Sequence, residues 1–269
     1  MLETILVFAV AHALALTDAQ RIAAKEAIER ARYVFVIGDK PPFETRYPRS
    51  FFVKQLEQEH QREAVLRQVF GVTMKKSDLA YEYRRIEKST RAPDQWEAIK
   101  KAVHNKRSIV EEVVCRPLLV DRALRAKFDF DQSIHATPHA AARKARQEFL
   151  AGHQPAGATT VTLSRSAGTP EETDEMLRKA QAESSVPRVL TPGAPTETPK
   201  TVPLEPEAAA LLEKELKKPG DVSTILEYRD RFEVYKLLEI KPATWRVNVV
   251  RFPKEDFDKW YAATVARLR

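Results

Sequence analysis

Lys217-Lys218-Pro219-Gly220-Asp221-Val222-Ser223 is continued by Thr224-Ile225-Leu226-Glu227-Tyr228 and, two residues on, by Arg231-Phe232-Glu233-Val234-Tyr235-Lys236-Leu237-Leu238. A charged helix running from about Leu204 to Leu216 meets Pro-Gly, a pair that ends a helix and turns the chain. The two runs after the turn are short and rich in β-branched and aromatic residues, the pattern of an antiparallel strand pair.

This order resembles the closing third of a parvulin-type (PpiC-like) peptidyl-prolyl isomerase domain, roughly L-x-x-G-x-(V/I)-S, a strand, then G-Y-H-I-(I/Y)-K-(V/L). Isomerisation has to lower a barrier of about 18–20 kcal/mol. The family does so in a pocket of two histidines, an Asp or Cys, and apolar side chains. The position of the family's late histidine is occupied here by Glu233, and the early strand Thr160-Val161-Thr162-Leu163-Ser164 contains no histidine. The resemblance therefore implies an isomerase scaffold without its catalytic set. No catalytic residue is assigned, and Phe232 and Tyr235 read as core strand residues.

Upstream, Gly152-His153-Gln154-Pro155-Ala156-Gly157 is a linker, placed at 153–158, and Thr159 to Ser164 alternates as a strand. Thr169-Pro170-Glu171-Glu172 caps a helix to about Ala182. Pro187, Pro192, Pro195, Pro199, Pro203 and Pro206 then crowd residues 185–206, which excludes a regular helix there. The family places further helices and its Asp or Cys in this region. Residues 159–241 thus read as a degenerate parvulin-like domain with a Pro-rich insert.

Downstream, Lys241-Pro242-Ala243 breaks the chain before Trp245-Arg246-Val247-Asn248-Val249-Val250-Arg251-Phe252, a further strand. Lys254 to Leu268 brings Phe257, Trp260, Tyr261 and Val265 to one helical face. In SurA-like chaperones such a helix returns to the N-terminal domain. Residues 242–269 are accordingly expected as a C-terminal strand and a helix that docks there.

Residues 17–152 read as helical. Thr17-Asp18-Ala19-Gln20 has capping-box spacing ahead of a helix to about Ala31. Tyr33-Val34-Phe35-Val36-Ile37 reads as a strand or extended segment, stopped by Gly38-Asp39-Lys40-Pro41-Pro42. A helix from about Pro48 ends at Gly71, others start near Ser77 and Pro93, and a long one runs from Lys106 to Phe128. Pro117 should kink or split the long helix by removing a donor. Thr137-Pro138 opens a last helix to about Leu150. Phe51-Phe52-Val53-Lys54-Gln55-Leu56, Gly71-Val72-Thr73 and Ser77-Asp78-Leu79-Ala80 resemble, in that order, the N-terminal domain of SurA- and PrsA-type periplasmic chaperones. Arg116 to Phe130 and Arg143 to Phe149 resemble its closing helices.

Ile5 to Val10 is an apolar core followed by the small-x-small patterns Ala11-His12-Ala13 and Ala13-Leu14-Ala15. This suits an export signal over residues 1–16, although Glu3 stands where a basic n-region is usual. The run is shorter than the roughly 20 residues that cross a bilayer. The expected location is periplasmic or secreted, and cytoplasmic if residues 1–16 are not a signal.

The chain of 269 residues is 43% hydrophobic and 31% charged, ample for a core and a charged, helix-rich surface. Its net charge of +7 is spread among interleaved acids, as in Arg84-Arg85-Ile86-Glu87-Lys88, with no basic run or base-stacking motif to favour nucleic acid. The single cysteine, Cys115, excludes an internal disulfide and a multi-cysteine zinc site, and its apolar neighbours suggest a buried thiol.

His135 and His139 stand four apart, a spacing able to bind metal on a helix, but Pro138 between them spoils that geometry and no third ligand follows. Asp129 and Asp131 flank Phe130 and read as loop carboxylates. Phe51, Phe52, Tyr81, Tyr83 and Trp96 could line a client groove, though most lie on core-facing helical stripes. No phosphate loop or nucleophilic triad order is present.

The expected fold class is α+β: a helical chaperone-like domain, then a reduced parvulin-like domain with an extra strand and a C-terminal helix. The expected function is chaperone-like binding of unfolded or extended polypeptide without isomerase activity. One alternative is an active, diverged peptidyl-prolyl cis-trans isomerase, and another is a non-catalytic assembly subunit for one dedicated partner. No cofactor, metal, nucleic acid or stable membrane insertion is expected.

Overall fold

The computed structural model describes residues 16–167 and 201–268. The expected signal up to residue 15, the helix from Thr169 to Ala182 and the Pro-rich insert as far as residue 200 lie outside the described residues. The fold is mixed α+β, and the chain divides into two compact units. One comprises residues up to Lys127 together with those from Tyr261, and the other is Phe128–Trp260. The division precedes the segment 153–158 read as a linker.

The first unit is helical. Helix α1 (Asp18–Tyr33) opens with the capping box expected from Thr17 and Gln20: Gln20 N–H donates to Thr17 Oγ1 at 3.3 Å, and Thr17 N–H donates to Gln20 Oε1 at 2.9 Å. Of Val34–Ile37, expected as a strand or extended segment, Val34 and Phe35 instead continue α1 as a turn, and the run forms no strand. Phe35 N–H donates to Arg32 O and Val36 N–H to Tyr33 O. No neighbouring strand pairs with this run among the described residues, and a β-branched run without a partner gains nothing from extension.

A one-turn helix α2 (Phe43–Arg46) leads to α3 (Arg49–Phe70), which ends at Gly71 in the left-handed region (φ 66°), its N–H on Arg67 O. Helices α4 (Lys76–Ser89) and α5 (Pro93–Ala102) follow, with Pro93 in the first turn of α5, where its missing donor costs nothing. The long helix is interrupted as Pro117 demands. Helix α6 (Arg107–Val110) widens into a π-helical turn, Glu111–Cys115, and resumes as α7 (Arg116–Asp129). Arg116 N–H reaches back five residues to Glu111 O, so the wide turn takes up the ring's disruption without breaking the helix. Ala24, Ile28, Tyr83, Trp96, Ile99, Val110, Val113 and Cys115 form the main core of this unit. Tyr261 belongs to it as well, near Arg62 and Asp121, and burial raises its pKa.

The second unit is built on a five-stranded sheet of order β2-β1-β5-β4-β3, with β1 (Thr159–Ala167), β2 (Thr201–Leu204), β3 (Leu226–Glu227), β4 (Arg231–Ile240) and β5 (Thr244–Pro253). Only β1 and β2 run parallel; β1, β5, β4 and β3 form an antiparallel set. The strand expected as a C-terminal addition, β5, lies inside the sheet between β1 and β4. Its burial on both faces accounts for the unbroken apolar pair Val249-Val250. Pro242 and Ala243 form the β4–β5 turn, closed by Lys241 N–H on Thr244 O at 2.8 Å.

Helix α8 (Ala136–Leu150) covers one face, where Ala142, Ala145 and Phe149 meet Phe232, Val234 and Val250. Helix α9 (Pro206–Glu215) covers the other, where Ala208, Ala209 and Leu212 meet Val161, Leu163, Tyr235, Leu237, Trp245, Val247 and Val249. Helix α10 (Phe257–Leu268) begins beside Phe128, against which Phe257 and Trp260 pack.

Candidate functional site

The Lys217–Ser223 motif forms an edge laid along β4. Pro219-Gly220 turns with Gly220 at φ 98°, a region open to glycine without Cβ strain. The Asp221 carboxylate accepts from the N–H groups of both Lys217 and Lys218 at 2.8 Å, which lowers its pKa. Gly220 N–H then donates to Leu237 O, Leu237 N–H to Asp221 O, and Ser223 N–H to Tyr235 O. Ser223 is fully buried and answers the next donor with its side chain: Tyr235 N–H donates to Ser223 Oγ at 3.0 Å, and that hydroxyl donates to Thr224 O at 2.7 Å. Arg146 of α8 donates to Ser223 O at 2.8 Å, tying the motif to the helix behind the sheet.

Glu233 sits on the α9 face with no exposed surface. Its Oε1 accepts from Arg231 Nε at 2.8 Å and from Arg251 Nε at 2.6 Å, while Oε2 accepts from the Tyr235 hydroxyl. The register explains the gathering. Glu233 and Arg251 are directly opposite on β4 and β5, and Arg231 and Tyr235 are two residues away on the same face. Burial, and next the charge of Glu233, push the Tyr235 hydroxyl far above its ordinary pKa. Tyr228 is raised for the same two reasons, with the Arg231 guanidinium 4.2 Å from its ring centre. Both oxygens of the carboxylate are thus committed. The cationic partners, absent from the sequence reading, were signalled there by charged residues at inward positions of two strongly apolar strands.

The helical unit offers a different feature. A cleft of about 150 Å³ lies where α1, α3 and the π-helical turn meet, floored by Ile28, Phe52, Val113 and Pro117 and flanked by Val114 and Leu118. Small-molecule sites usually run to roughly 300–1,000 Å³, so this volume suits one bulky side chain better than a whole ligand. Lys25 and Glu59, paired at 2.6 Å and largely buried, stand in its wall. Glu29, Arg32 and Gln55 give it a polar rim. Of the aromatics considered from sequence, Phe52 reaches this floor. Tyr83 and Trp96 pack together in the core at 5.5 Å, and Phe51 and Tyr81 are exposed. The rest of the lining carried no sequence signal, because it depends on how the π turn rotates Val113 and Val114.

The remaining candidates are engaged structurally. His135 is buried, its Nε2 2.8 Å from Phe128 O and its Nδ1 accepting Glu255 N–H at 3.2 Å; His139 packs on the Phe232 ring. Asp129 pairs with Arg229 at 2.5 Å. Asp131 Oδ1 accepts from the Ser133 hydroxyl and from the N–H groups of Ser133 and Ile134, an Asx turn that depresses its pKa. Among the described residues no three His, Cys, Asp or Glu side chains are grouped to hold a metal. Burial, with the charges of Glu82 and Glu111 adding to it, drives the Cys115 thiol up to about 12. No helix among the described residues is long and apolar enough to cross a membrane. Compared with known proteins, the chain matches no protein-family model and no curated protein.

Proposed function

We propose that the chain is a chaperone-like protein of the SurA/PrsA type that binds unfolded or extended polypeptide, on a scaffold related to parvulin isomerases but not used for catalysis. The observation that carries this reading is the small cleft of the helical unit, with its apolar floor and polar rim. An opening floored by Ile28, Phe52, Val113 and Pro117 takes single apolar side chains, and its rim of Glu29, Arg32 and Gln55 supplies partners to the backbone beside them. A site of that size grips many sequences weakly, as a general binder of unfolded chains must. Glu233 supports the non-catalytic half of the reading. A carboxylate with no exposed surface, both of whose oxygens are taken up by two guanidiniums and a tyrosine hydroxyl, is not open to a substrate amide.

The test is aggregation of a chemically unfolded client, followed by light scattering, with the wild-type chain and with Leu118→Asp, which puts a charge on an already exposed lip of the cleft. Protection by the wild type and its loss in the variant are expected. Equal protection by both would overturn the role of the cleft. No protection by either, together with one stable partner in a pull-down, would establish a dedicated assembly subunit instead. Turnover of a proline peptide that Glu233→Ala abolishes would make the chain an isomerase.

A further inference from the structure

The segment after α1 holds four apolar side chains out to solvent in succession: Val34 is 74% exposed, Phe35 37%, Val36 47% and Ile37 96%. Such a run is unusual on a soluble surface, where apolar residues normally occur singly. It is also held in place. Tyr33 donates its hydroxyl to Pro41 O at 2.5 Å, and Lys40 Nζ donates to Tyr33 O at 2.7 Å, closing the turn on itself. Beneath it Tyr33 packs edge-on against Phe43 and Tyr47, and Tyr47 meets the exposed Phe51 at 5.2 Å. The aromatic base makes the run a supported protrusion.

Two cations stand against the aromatic base of the run. Lys40 stands 4.9 Å from the centre of the Tyr33 ring, and Arg46 5.8 Å from that of Tyr47. Arg46 and Arg49 are exposed and make no ion pair with another described residue. Of the nearby acids, Glu44 pairs with Arg30 and Glu29 with Arg32, leaving Asp39 as the opposing charge on the loop. We propose that this loop is a peripheral membrane contact, in which Val34, Phe35, Val36 and Ile37 enter the headgroup region of an anionic bilayer while Lys40, Arg46 and Arg49 lie against its phosphates. Charge complementarity chooses the occupant, since apolar side chains with cations around them match the layering of an anionic interface. The backbone suits it too: the carbonyls of Arg32, Tyr33 and Val34 accept hydrogen bonds from within the turn, which lowers the cost of leaving water.

The test uses the full chain and vesicles mixing phosphatidylserine with phosphatidylcholine. Phe35→Cys, labelled with an environment-sensitive fluorophore, reports locally, because Cys115 is buried and its thiol stays protonated. A blue shift on adding these vesicles, weakened by high salt and absent with pure phosphatidylcholine, is expected. Val34→Asp/Ile37→Asp, both at exposed positions, should lower vesicle affinity about tenfold or more, and Arg46→Glu/Arg49→Glu should remove most of the salt dependence. No spectral change with anionic vesicles, or unchanged affinity in the double aspartate variant, overturns the proposal. So does an aspartate variant that still binds vesicles but no longer protects an unfolded client, since the loop would then be a polypeptide site. Failure of client protection by Leu118→Asp alone bears on the cleft and leaves vesicle binding as measured.

Discussion

The hydroxyl of Ser223 takes the place of a strand partner for Tyr235: Tyr235 N–H donates to Ser223 Oγ at 3.0 Å, and both residues are fully buried. Ser223→Ala would leave that donor buried with nothing to meet it, a loss of about 1–3 kcal/mol. The urea midpoint of unfolding should fall accordingly, whereas Ser223→Thr, which keeps the oxygen, should fall less. Equal midpoints for Ser223→Ala and wild type would mean that water or a shifted backbone replaces the hydroxyl.

Glu233 holds two guanidiniums in the sheet, Arg231 with 12% of its side chain exposed and Arg251 with 7%. Arg251 Nη2 is already buried without an acceptor, so the site carries an excess of donors before any change. Glu233→Ala should therefore be costly, about 3–5 kcal/mol, because it strands positive charge in the interior. Glu233→Leu combined with Arg251→Leu should recover much of the loss in denaturant melts. A double variant no more stable than Glu233→Ala would show that the Arg251 charge does not set the cost, which would then lie with the remaining Arg231 guanidinium or the lost bonds of Glu233.

Legibility followed how local each feature was. The Thr17–Gln20 cap, the stop at Gly71, Pro93 in the first turn of α5 and the turn at Pro219-Gly220 each depend on a few adjacent residues, and each stands where the sequence puts it. The strand alternation around Glu233 was also readable, but its ion pairs needed the register between β4 and β5, a relation across eighteen residues. Val34–Ile37 misled because β-branched composition expresses a preference for a pleated, half-buried surface, and among the described residues no strand pairs with the run to provide one. The placement of β5 between β1 and β4 was hidden for a similar reason: strand order is decided by which edges meet, and the sequence marks only that a strand exists. The cleft depends on the π turn, whose position reflects a compromise around Pro117 and carries no pattern of its own.

Cys115 should ignore thiol reagents in the native protein. Its side chain is buried and its pKa is pushed up to about 12, so the thiolate fraction at pH 8 is negligible. Reaction with an aromatic disulfide reagent should appear only in denaturant, at a rate following unfolding. Prompt stoichiometric labelling without denaturant would place the thiol in an open or opening site.

His135 should make the protein lose stability in mild acid. Its Nε2 lies on Phe128 O and its Nδ1 receives Glu255 N–H, so the arrangement fits the neutral ring with its proton on Nε2. Burial lowers its pKa first of all. The Phe128 carbonyl opposes that shift, Lys254 adds to it, and Glu227 and Glu255 oppose it. Because the folded value lies below the unfolded one of about 6.5, the unfolded chain takes up this proton first as pH falls. Stability is then lost from about pH 6.5 downward until the folded ring also titrates, by at most about 1.4 kcal/mol per pH unit for one proton. Carboxylate losses set in at lower pH; Glu82, held down to about 2 chiefly by its hydrogen bonds to Arg85, stays ionised throughout this window. The thermal midpoint of the wild type should therefore decline between pH 7 and about 5. His135→Gln, less stable at pH 7 through its poorer fit, should show a flatter profile over the same range. A profile parallel to that of the wild type would assign the acid loss to groups other than His135.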